Sequence, residues 1–233
     1  MNVAIIPARG GSKRIPGKNI KSFAGQPIIK YSMEAAIKTQ LFQRIIVSTD
    51  DERIAEIARE GGAEVPFIRP AEISDDFTPT ADVIHHALAW LDADGAQVEY
   101  ACCIYATAPF VSSEYIKRGY ELLLEKQRSS VFSVTTFSFP IFRALKINDR
   151  GQLEMFWPEY EYTRSNDLTE AYHDAGQFYW LDSAKFIQTK KLYSSDASPV
   201  ILPRYLVQDI DTPEDWEMAE RMFRALQFDN NGK

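Results

Sequence analysis

Two clusters of charge have residue types and spacing that could do chemistry. The first begins where Val3-Ala4-Ile5-Ile6 runs into Pro7-Ala8-Arg9-Gly10-Gly11-Ser12-Lys13-Arg14, and it continues through Lys18, Asn19 and Lys21. No acid interrupts Arg9 to Lys21, although the whole chain carries a formal charge of −7. Such a local inversion of charge calls for an anionic partner. Gly10 and Gly11 let the backbone approach a ligand, and successive N–H groups there can hold an oxyanion. Lysine and arginine add charge and donors for several phosphate oxygens. The second cluster is Asp209-Ile210-Asp211. If residues 205–208 form a strand, the two-residue period puts both carboxylates on one face. Two hard oxygen ligands suit Mg²⁺, which keeps several waters and takes further oxygens from substrate phosphates. The alternative is a pair of turn and capping aspartates ahead of a helix.

The basic loop departs from the familiar phosphate loops. Gly11 and Gly17 are separated by five residues, and Lys18 is followed by Asn19, so the Walker A spacing is absent. The GxGxxG spacing is missing too, as is the GxSxG elbow of serine hydrolases. His85 and His86 adjoin on a predicted helix. Neighbouring helical residues point about 100° apart, so both can hardly ligate one ion, and a solvated face is expected. The only cysteines, Cys102 and Cys103, are adjacent, match no zinc spacing and read as buried strand thiols.

The elements that must position these groups alternate. A strand over 3–6 leads through the loop to a helix marked by Ile29, Met33, Ala36 and Ile37. Residues 44–48 read as strand. Asp50 reads as an N-cap for Ile54, Ile57 and Ala58, with Gly61-Gly62 as the stop. Residues 65–68 read as a third short strand. Thr80 opens a helix with Val83, Ile84, Ala87, Leu88 and Leu91 as its buried stripe. A strand over 100–105, a helix over 114–126 and a strand over 130–136 follow. This rhythm predicts an α/β fold, a mostly parallel, doubly wound, Rossmann-like sheet with ligands at the carboxyl ends of its strands. The pattern breaks over 137–171, where Phe139, Phe142, Phe156, Trp157, Tyr160 and Tyr162 cluster without helical period. That segment reads as a small dimerisation arm inserted in a domain formed by 1–136 and 172–228, in preference to a core hairpin. Strand pattern resumes over 177–181. Thr212-Pro213-Glu214-Asp215 opens the last helix, with Pro at its first position, and 229–233 read as a frayed tail.

Length and composition set outer bounds. The 233 residues suffice for one large domain, and 45% hydrophobic content can fill its core. An acidic chain is a poor nucleic-acid binder. No apolar run approaches the ~20 residues that cross a bilayer, and the first residues lack a signal-peptide pattern, so a cytoplasmic protein without membrane contact is expected.

Several stretches together resemble a known family. Pro7 to Lys13 with Pro16, Lys18 and Asn19 is similar to the opening signature of CMP-sugar synthetases acting on nonulosonic acids. Val47-Ser48-Thr49-Asp50, Arg69-Pro70-Ala71-Glu72, Thr107 with Pro109, and Asp209-Ile210-Asp211-Thr212 agree, so the likeness runs to about residue 216. Ile104 to Phe110 and Asp174 to Trp180 resemble the pseudaminic acid branch. The sialic acid branch carries Gln-Pro-Thr-Ser-Pro and Arg-Pro-Asn-Gly at those places, and this chain has neither. The resemblance implies conversion of CTP and an acidic nine-carbon sugar to the CMP-sugar and pyrophosphate, with Mg²⁺ on Asp209 and Asp211. It carries over Ala8, Arg9, Gly10, Gly11, Ser12, Lys13, Lys18, Asn19 and Arg69 as nucleotide contacts. Arg9, Lys13, Lys18 and Asp211 become the catalytic group. Tyr105, Ala106 and Thr107 fall on the sugar side, with His173, Asp174 and Gln177 where the sialic branch has its Arg-Pro-Asn, and Arg164 as the cation for the sugar carboxylate. It also implies a homodimer through the arm. The general base is open between Asp209, Asp211 and direct metal activation.

Other readings stay in competition. A sialic or legionaminic acid cytidylyltransferase shares every nucleotide feature. A sugar-phosphate nucleotidylyltransferase would need extra cations on its sugar side, where Tyr172 to Trp180 offers His173 and Asp174 instead. A non-catalytic nucleotide-binding module would keep the basic loop without needing Asp209 and Asp211 together.

Overall fold

The computed structural model describes the backbone of residues 1–231 and the side chains of residues 1–227. In chain order the elements are β1 (Asn2–Pro7), β2 (Ser22–Phe23), β3 (Gln26–Pro27), α1 (Ile29–Thr39), β4 (Arg44–Ser48), α2 (Glu52–Glu60), α3 (Thr80–Ala93), β5 (Tyr100–Ile104), α4 (Ser113–Lys126), β6 (Ser130–Thr136), β7 (Leu145–Ile147), β8 (Leu153–Met155), β9 (Tyr172–Asp182), α5 (Ser183–Thr189), β10 (Ser198–Ile201) and α6 (Pro213–Asn231). Six strands form the main sheet in the order β10-β6-β9-β5-β1-β4. β1 is parallel to β4 and β5, and β10 is parallel to β6. β9 alone runs antiparallel, to both β5 and β6. The sheet is mostly parallel, as the alternation of elements requires.

Period two sorts the core. Ala4, Ile6, Cys102, Ile104, Phe178 and Trp180 point to one face, beneath α1, α2 and α4. Val3, Ile5, Ala101, Cys103, Tyr179 and Leu181 point to the other, beneath α3 and α5. Strands covered on both faces read as continuous apolar runs, which is why β1 and β5 are legible in the sequence. Both cysteines are wholly buried, and burial pushes their thiols up.

A third cluster fixes the basic loop. Ile15 from the loop, Phe23 from β2, Phe110, Ile210, and Trp216 and Ala219 from α6 pack together. Phe23 meets Trp216 edge-on at 5.5 Å, and the Lys21 ammonium lies 4.5 Å from the Trp216 ring centroid. Burying each such large side chain contributes about 1.5–3 kcal/mol, so the loop is pinned to the C-terminal helix. Gly17 turns the loop at φ 63°, a left-handed conformation that glycine adopts without strain.

Four expected local features differ. Asp51, not Asp50, caps α2, accepting the Arg53 N–H at 2.9 Å. Residues 65–68 form no strand, only two parallel bridges, Ile46–Glu64 and Thr49–Ile68, because Pro66 removes a donor. Residues 205–208 are not a strand either. A single 3₁₀ turn, Arg204–Leu206, follows Pro203, and the chain then runs irregularly into Asp209. α6 runs on through 229 to Asn231, where a frayed tail was expected, and 232–233 lie outside the described residues. Thr212 does cap α6, its Oγ1 accepting the Asp215 N–H at 3.2 Å while Asp215 accepts the Thr212 N–H at 2.8 Å.

Residues 137–171 stand apart from the main sheet. They hold the β7–β8 hairpin and three 3₁₀ turns, and they leave Phe139, Ile147, Leu153 and Tyr162 exposed. No described helix is long and apolar enough to cross a membrane.

Candidate active site

A cavity of about 500 Å³ opens at the carboxyl ends of β1 and β5. Ligands of open α/β sheets bind there, since the loops leaving these strands diverge around a crevice. The walls carry five cations, Arg9, Lys13, Arg14, Lys18 and Arg69, against three carboxylates, Asp75, Asp76 and Asp211. The lining is cationic within an acidic protein.

Loop geometry sets each group. Gly10 passes so close to α2 that a Cβ there would meet the Asp51 side chain at 2.8 Å, so glycine is required. Its N–H is not free for an oxyanion: it donates to Asp50 Oδ1 at 2.8 Å. A Cβ on Gly11 would meet nothing within 4 Å. Ala8 is fully buried, and neither it nor the two glycines line the cavity. Asn19 lines the cavity but spends its amide donating to the Arg9 carbonyl at 2.8 Å, which locks the loop. Ser12, Arg9, Lys13 and Lys18 do line it.

Arg69 is the least expected. Arginines on a turn between short segments are normally solvated, yet this one is 5% exposed. Its Nε and Nη2 have no hydrogen-bond partner among the described residues, and the nearest carboxylate oxygen, Asp50 Oδ1, is 4.0 Å away. Burial holds its guanidinium below the usual range, against the pull of Asp50, and Arg9 adds to the repulsion. Unfilled Arg69 donors lie beside a second guanidinium, that of Arg9, an arrangement that a polyanion would complete. Beside it His86 packs edge-on to Phe67 at 4.7 Å with Nδ1 buried, so it is half-buried instead of lying on a solvated face.

The cations facing solvent carry internal counter-charges. Arg9 and Lys13 grip the two oxygens of Asp76 at 2.6 and 2.5 Å. Lys13 and Arg9 hold the Asp76 carboxyl below the usual range. Asp75 takes the Thr78 hydroxyl and N–H and the Phe77 N–H, a turn that presents Asp76 to the cavity. The signal for this loop was present as an Asp-Asp pair fenced by Pro70 and Pro79, but nothing local says which cation an acid will meet.

Across the cavity, Asp211 meets Arg14 at 2.9 Å and Lys18 at 3.3 Å. Lys18 also donates to the Ile210 carbonyl at 2.7 Å. Asp209 does not line the cavity, and without a strand the two carboxylates share no pleated face. Asp209 is solvent-exposed, yet its carboxyl is raised, by partial desolvation first and then by the charge of Asp211, with Lys18 opposing. Among the described residues no three potential ligands cluster. Two neighbouring carboxylates, with no third ligand among the described residues, fit a Mg²⁺ that would draw its remaining oxygens from water and phosphate.

Of the residues expected on the sugar side, Tyr105, Ala106 and Thr107 line the cavity. Arg164, His173, Asp174 and Gln177 do not. Arg164 sits in the 137–171 segment, bound to Asp167 at 2.8 Å. β9 carries a bulge opposite Phe132–Val134, with Gly176 at φ 62°, and the strand switches face there. His173 therefore packs on Phe137, and Asp174 accepts the Tyr179 hydroxyl at 2.5 Å. The buried Gln177 donates to the Leu206 carbonyl at 2.5 Å, tying β9 to the turn that leads to Asp209.

A family model described as cytidylyltransferase matches residues 3–225. A pseudaminic acid cytidylyltransferase of Campylobacter jejuni is 41% identical over 224 residues, 96% of this chain and 97% of that one. A CMP-N,N'-diacetyllegionaminic acid synthase of Legionella pneumophila is 32% identical over 232 residues, covering 97% of both. An N-acylneuraminate cytidylyltransferase of Escherichia coli is 31% identical over 219 residues, 93% of this chain and 51% of that one. Among solved structures, a CMP:2-keto-3-deoxy-manno-octonic acid synthetase complexed with CTP shares the fold, with a TM-score of 0.68 at 16% identity over 96% of this chain and 98% of that one. The chain belongs to the cytidylyltransferase family.

Proposed function

We propose that this chain transfers the cytidylyl group of CTP to pseudaminic acid, an acidic nine-carbon sugar, releasing pyrophosphate. The observation that carries the reading is the single cavity in which Arg9, Lys13, Arg14, Lys18 and a buried, unpartnered Arg69 converge with Asp211. The 41% identity to pseudaminic acid cytidylyltransferases supports the choice of sugar.

The chemistry follows from the geometry. Arg9, Lys13 and Arg69 bind the triphosphate oxygens, displacing the Asp76 carboxylate from the first two. Lys18 orders the mouth by holding the Ile210 carbonyl and Asp211. The anomeric hydroxyl of the sugar, presented near Tyr105 and Thr107, attacks the α-phosphorus in line. A phosphorus–oxygen bond forms to the sugar, the α–β bridging bond breaks, and the charge moves to pyrophosphate against the loop cations. The hydroxyl proton passes to the Asp209–Asp211 pair, in which desolvation and the charge of Asp211 raise the Asp209 carboxyl. A Mg²⁺ held by Asp209 and Asp211 supplies, when bound, charge neutralisation at the non-bridging phosphate oxygens.

The segment 137–171 is read as an arm that buries its exposed Phe139, Ile147 and Leu153 on a second copy, making a homodimer. The same reading takes 1–136 and 172–228 as the domain around that arm and the cytoplasm as the place of action. The test is a panel of CTP, UTP, ATP and GTP against pseudaminic, legionaminic and sialic acids, with and without Mg²⁺, following pyrophosphate. Turnover is expected with CTP and pseudaminic acid in the presence of Mg²⁺. Preference for UTP, ATP or GTP over CTP, or no turnover with pseudaminic acid, overturns the reading.

A further inference from the structure

Of the five cations in the cavity wall, Arg14 is the one to which the reaction above gives no part. Its Nη2 meets Asp211 Oδ2 at 2.9 Å, and the Lys18 ammonium meets Oδ1 of the same carboxylate at 3.3 Å. Both oxygens of Asp211 are thus taken by side-chain cations. The preceding residue, Lys13, grips Asp76 at 2.5 Å, so neighbours in sequence hold two different acids of the wall.

The two cations on Asp211 are not equivalent. The Lys18 side chain is 19% exposed and is held a second time, donating to the Ile210 carbonyl at 2.7 Å. The Arg14 side chain is 66% exposed, and Asp211 is its only ion-pair partner among the described residues. Such a pair is weak, because water screens it and a long side chain loses entropy in holding one geometry. The backbone beneath it is fixed. Ile15 is 2% exposed within the third hydrophobic cluster, and its carbonyl accepts the Lys18 N–H at 3.1 Å. The guanidinium can therefore leave Asp211 without moving the loop, and its anchored stem keeps it at the same cavity. A divalent cation on Asp211 would repel it, and a planar guanidinium matches phosphate oxygens with two parallel N–H groups.

We propose that Arg14 is an exchangeable cation: it holds Asp211 until a divalent cation takes that carboxylate, and its guanidinium then turns to the triphosphate. This rests on the proposed meeting of CTP and Mg²⁺ at Asp211. Release of the ion pair serves both ligands at once, since it opens the carboxylate to the metal and the guanidinium to the nucleotide. Each ligand then strengthens the binding of the other, a reciprocity that linkage requires.

The test reads two ligands on the full-length Arg14→Gln variant. Binding of Mn²⁺ to the nucleotide-free protein, followed by electron paramagnetic resonance, should tighten about two- to fivefold, because a competing cation is gone. Binding of CTP in the presence of Mg²⁺ and without sugar, followed by calorimetry, should weaken about three- to tenfold, the loss of one hydrogen-bonded contact. Lys13→Gln removes the same charge one residue away, from Asp76, and should change Mn²⁺ binding less. Opposite signs on the two ligands are the signature, since an arginine that merely holds Asp211 in place would weaken both when removed. Unchanged or weaker Mn²⁺ binding by Arg14→Gln, equal tightening by Lys13→Gln, or Mn²⁺ binding by neither wild type nor variant overturns the exchange. A wild type that fails to bind CTP sinks the proposed function and this role together. A wild type that binds CTP as Arg14→Gln does removes the role of Arg14 alone.

Discussion

The Lys18 ammonium lies 3.3 Å from the Asp211 carboxylate, across 193 positions of sequence. The same nitrogen donates to the Ile210 carbonyl at 2.7 Å, and Ile210 packs on Ile15 and Phe23 in the third hydrophobic cluster. The N-terminal loop and the C-terminal acids are thus joined twice, by apolar packing and by a cation at its edge.

Asp211→Asn keeps the shape but removes the charge that balances Arg14 and Lys18 and that, in the proposed reaction, would offer oxygen to a metal. Pyrophosphate release should fall at least about 100-fold, the scale of losing one preorganised electrostatic contact. The circular dichroism spectrum should match the wild type. Turnover within a factor of two of wild type removes Asp211 from the machinery.

Asp76 holds Arg9 and Lys13, so in the proposed reaction it would compete with the triphosphate for both. Exposed ion pairs of this kind contribute about 0.2–1 kcal/mol each, so Asp76→Asn should tighten CTP binding about two- to fivefold. Raising salt should narrow the difference, since screening weakens the internal pair. Titration calorimetry with CTP reads both, and weaker binding by the variant contradicts the competition.

Arg69 trades stability for binding. Its buried guanidinium lacks partners, and an unsatisfied buried polar group costs about 1–3 kcal/mol. Arg69→Met should leave the melting temperature of the free protein equal to wild type or higher, and should abolish the stabilisation that CTP gives the wild type. A melting temperature that drops with CTP binding retained reverses the assignment.

His86 sets an acid limit on stability. Burial lowers its pKa below the ordinary 6.5, and Arg69 and then His85 add repulsion. The unfolded chain therefore binds the proton more readily than the folded one. Its contribution is intact above pH 6.5 and is lost as pH falls through the lowered folded value. Melting curves between pH 7.5 and pH 5 should show a smaller loss for His86→Leu than for wild type. Parallel losses count against this histidine.

Gly119 sits inside α4, where alanine would normally gain about 1 kcal/mol of helix propensity. Here a Cβ would meet Trp180 Cδ1 at 2.8 Å and Phe178 Cε2 at 2.9 Å, both on fully buried rings. Overpacking of this kind costs about 1–3 kcal/mol, so Gly119→Ala should unfold at lower denaturant concentration. An unchanged midpoint means the rings move aside.

Periodicity made the scaffold readable from residue types alone. The buried stripe of α3 was legible as Val83, Ile84, Ala87, Leu88 and Leu91, and β4 and β6 as β-branched runs, because burying one face or both imposes a local pattern. The uninterrupted positive charge of Arg9 to Lys21 was likewise legible, since charge needs no partner to be visible. What the chain's linear order could not carry was pairing at a distance. That Arg69 is buried, that Asp76 rather than a free solvent shell meets Arg9 and Lys13, and that a bulge turns Asp174 toward Tyr179 are outcomes of packing. Each depends on where a second segment comes to rest, and that position is set by the whole core at once.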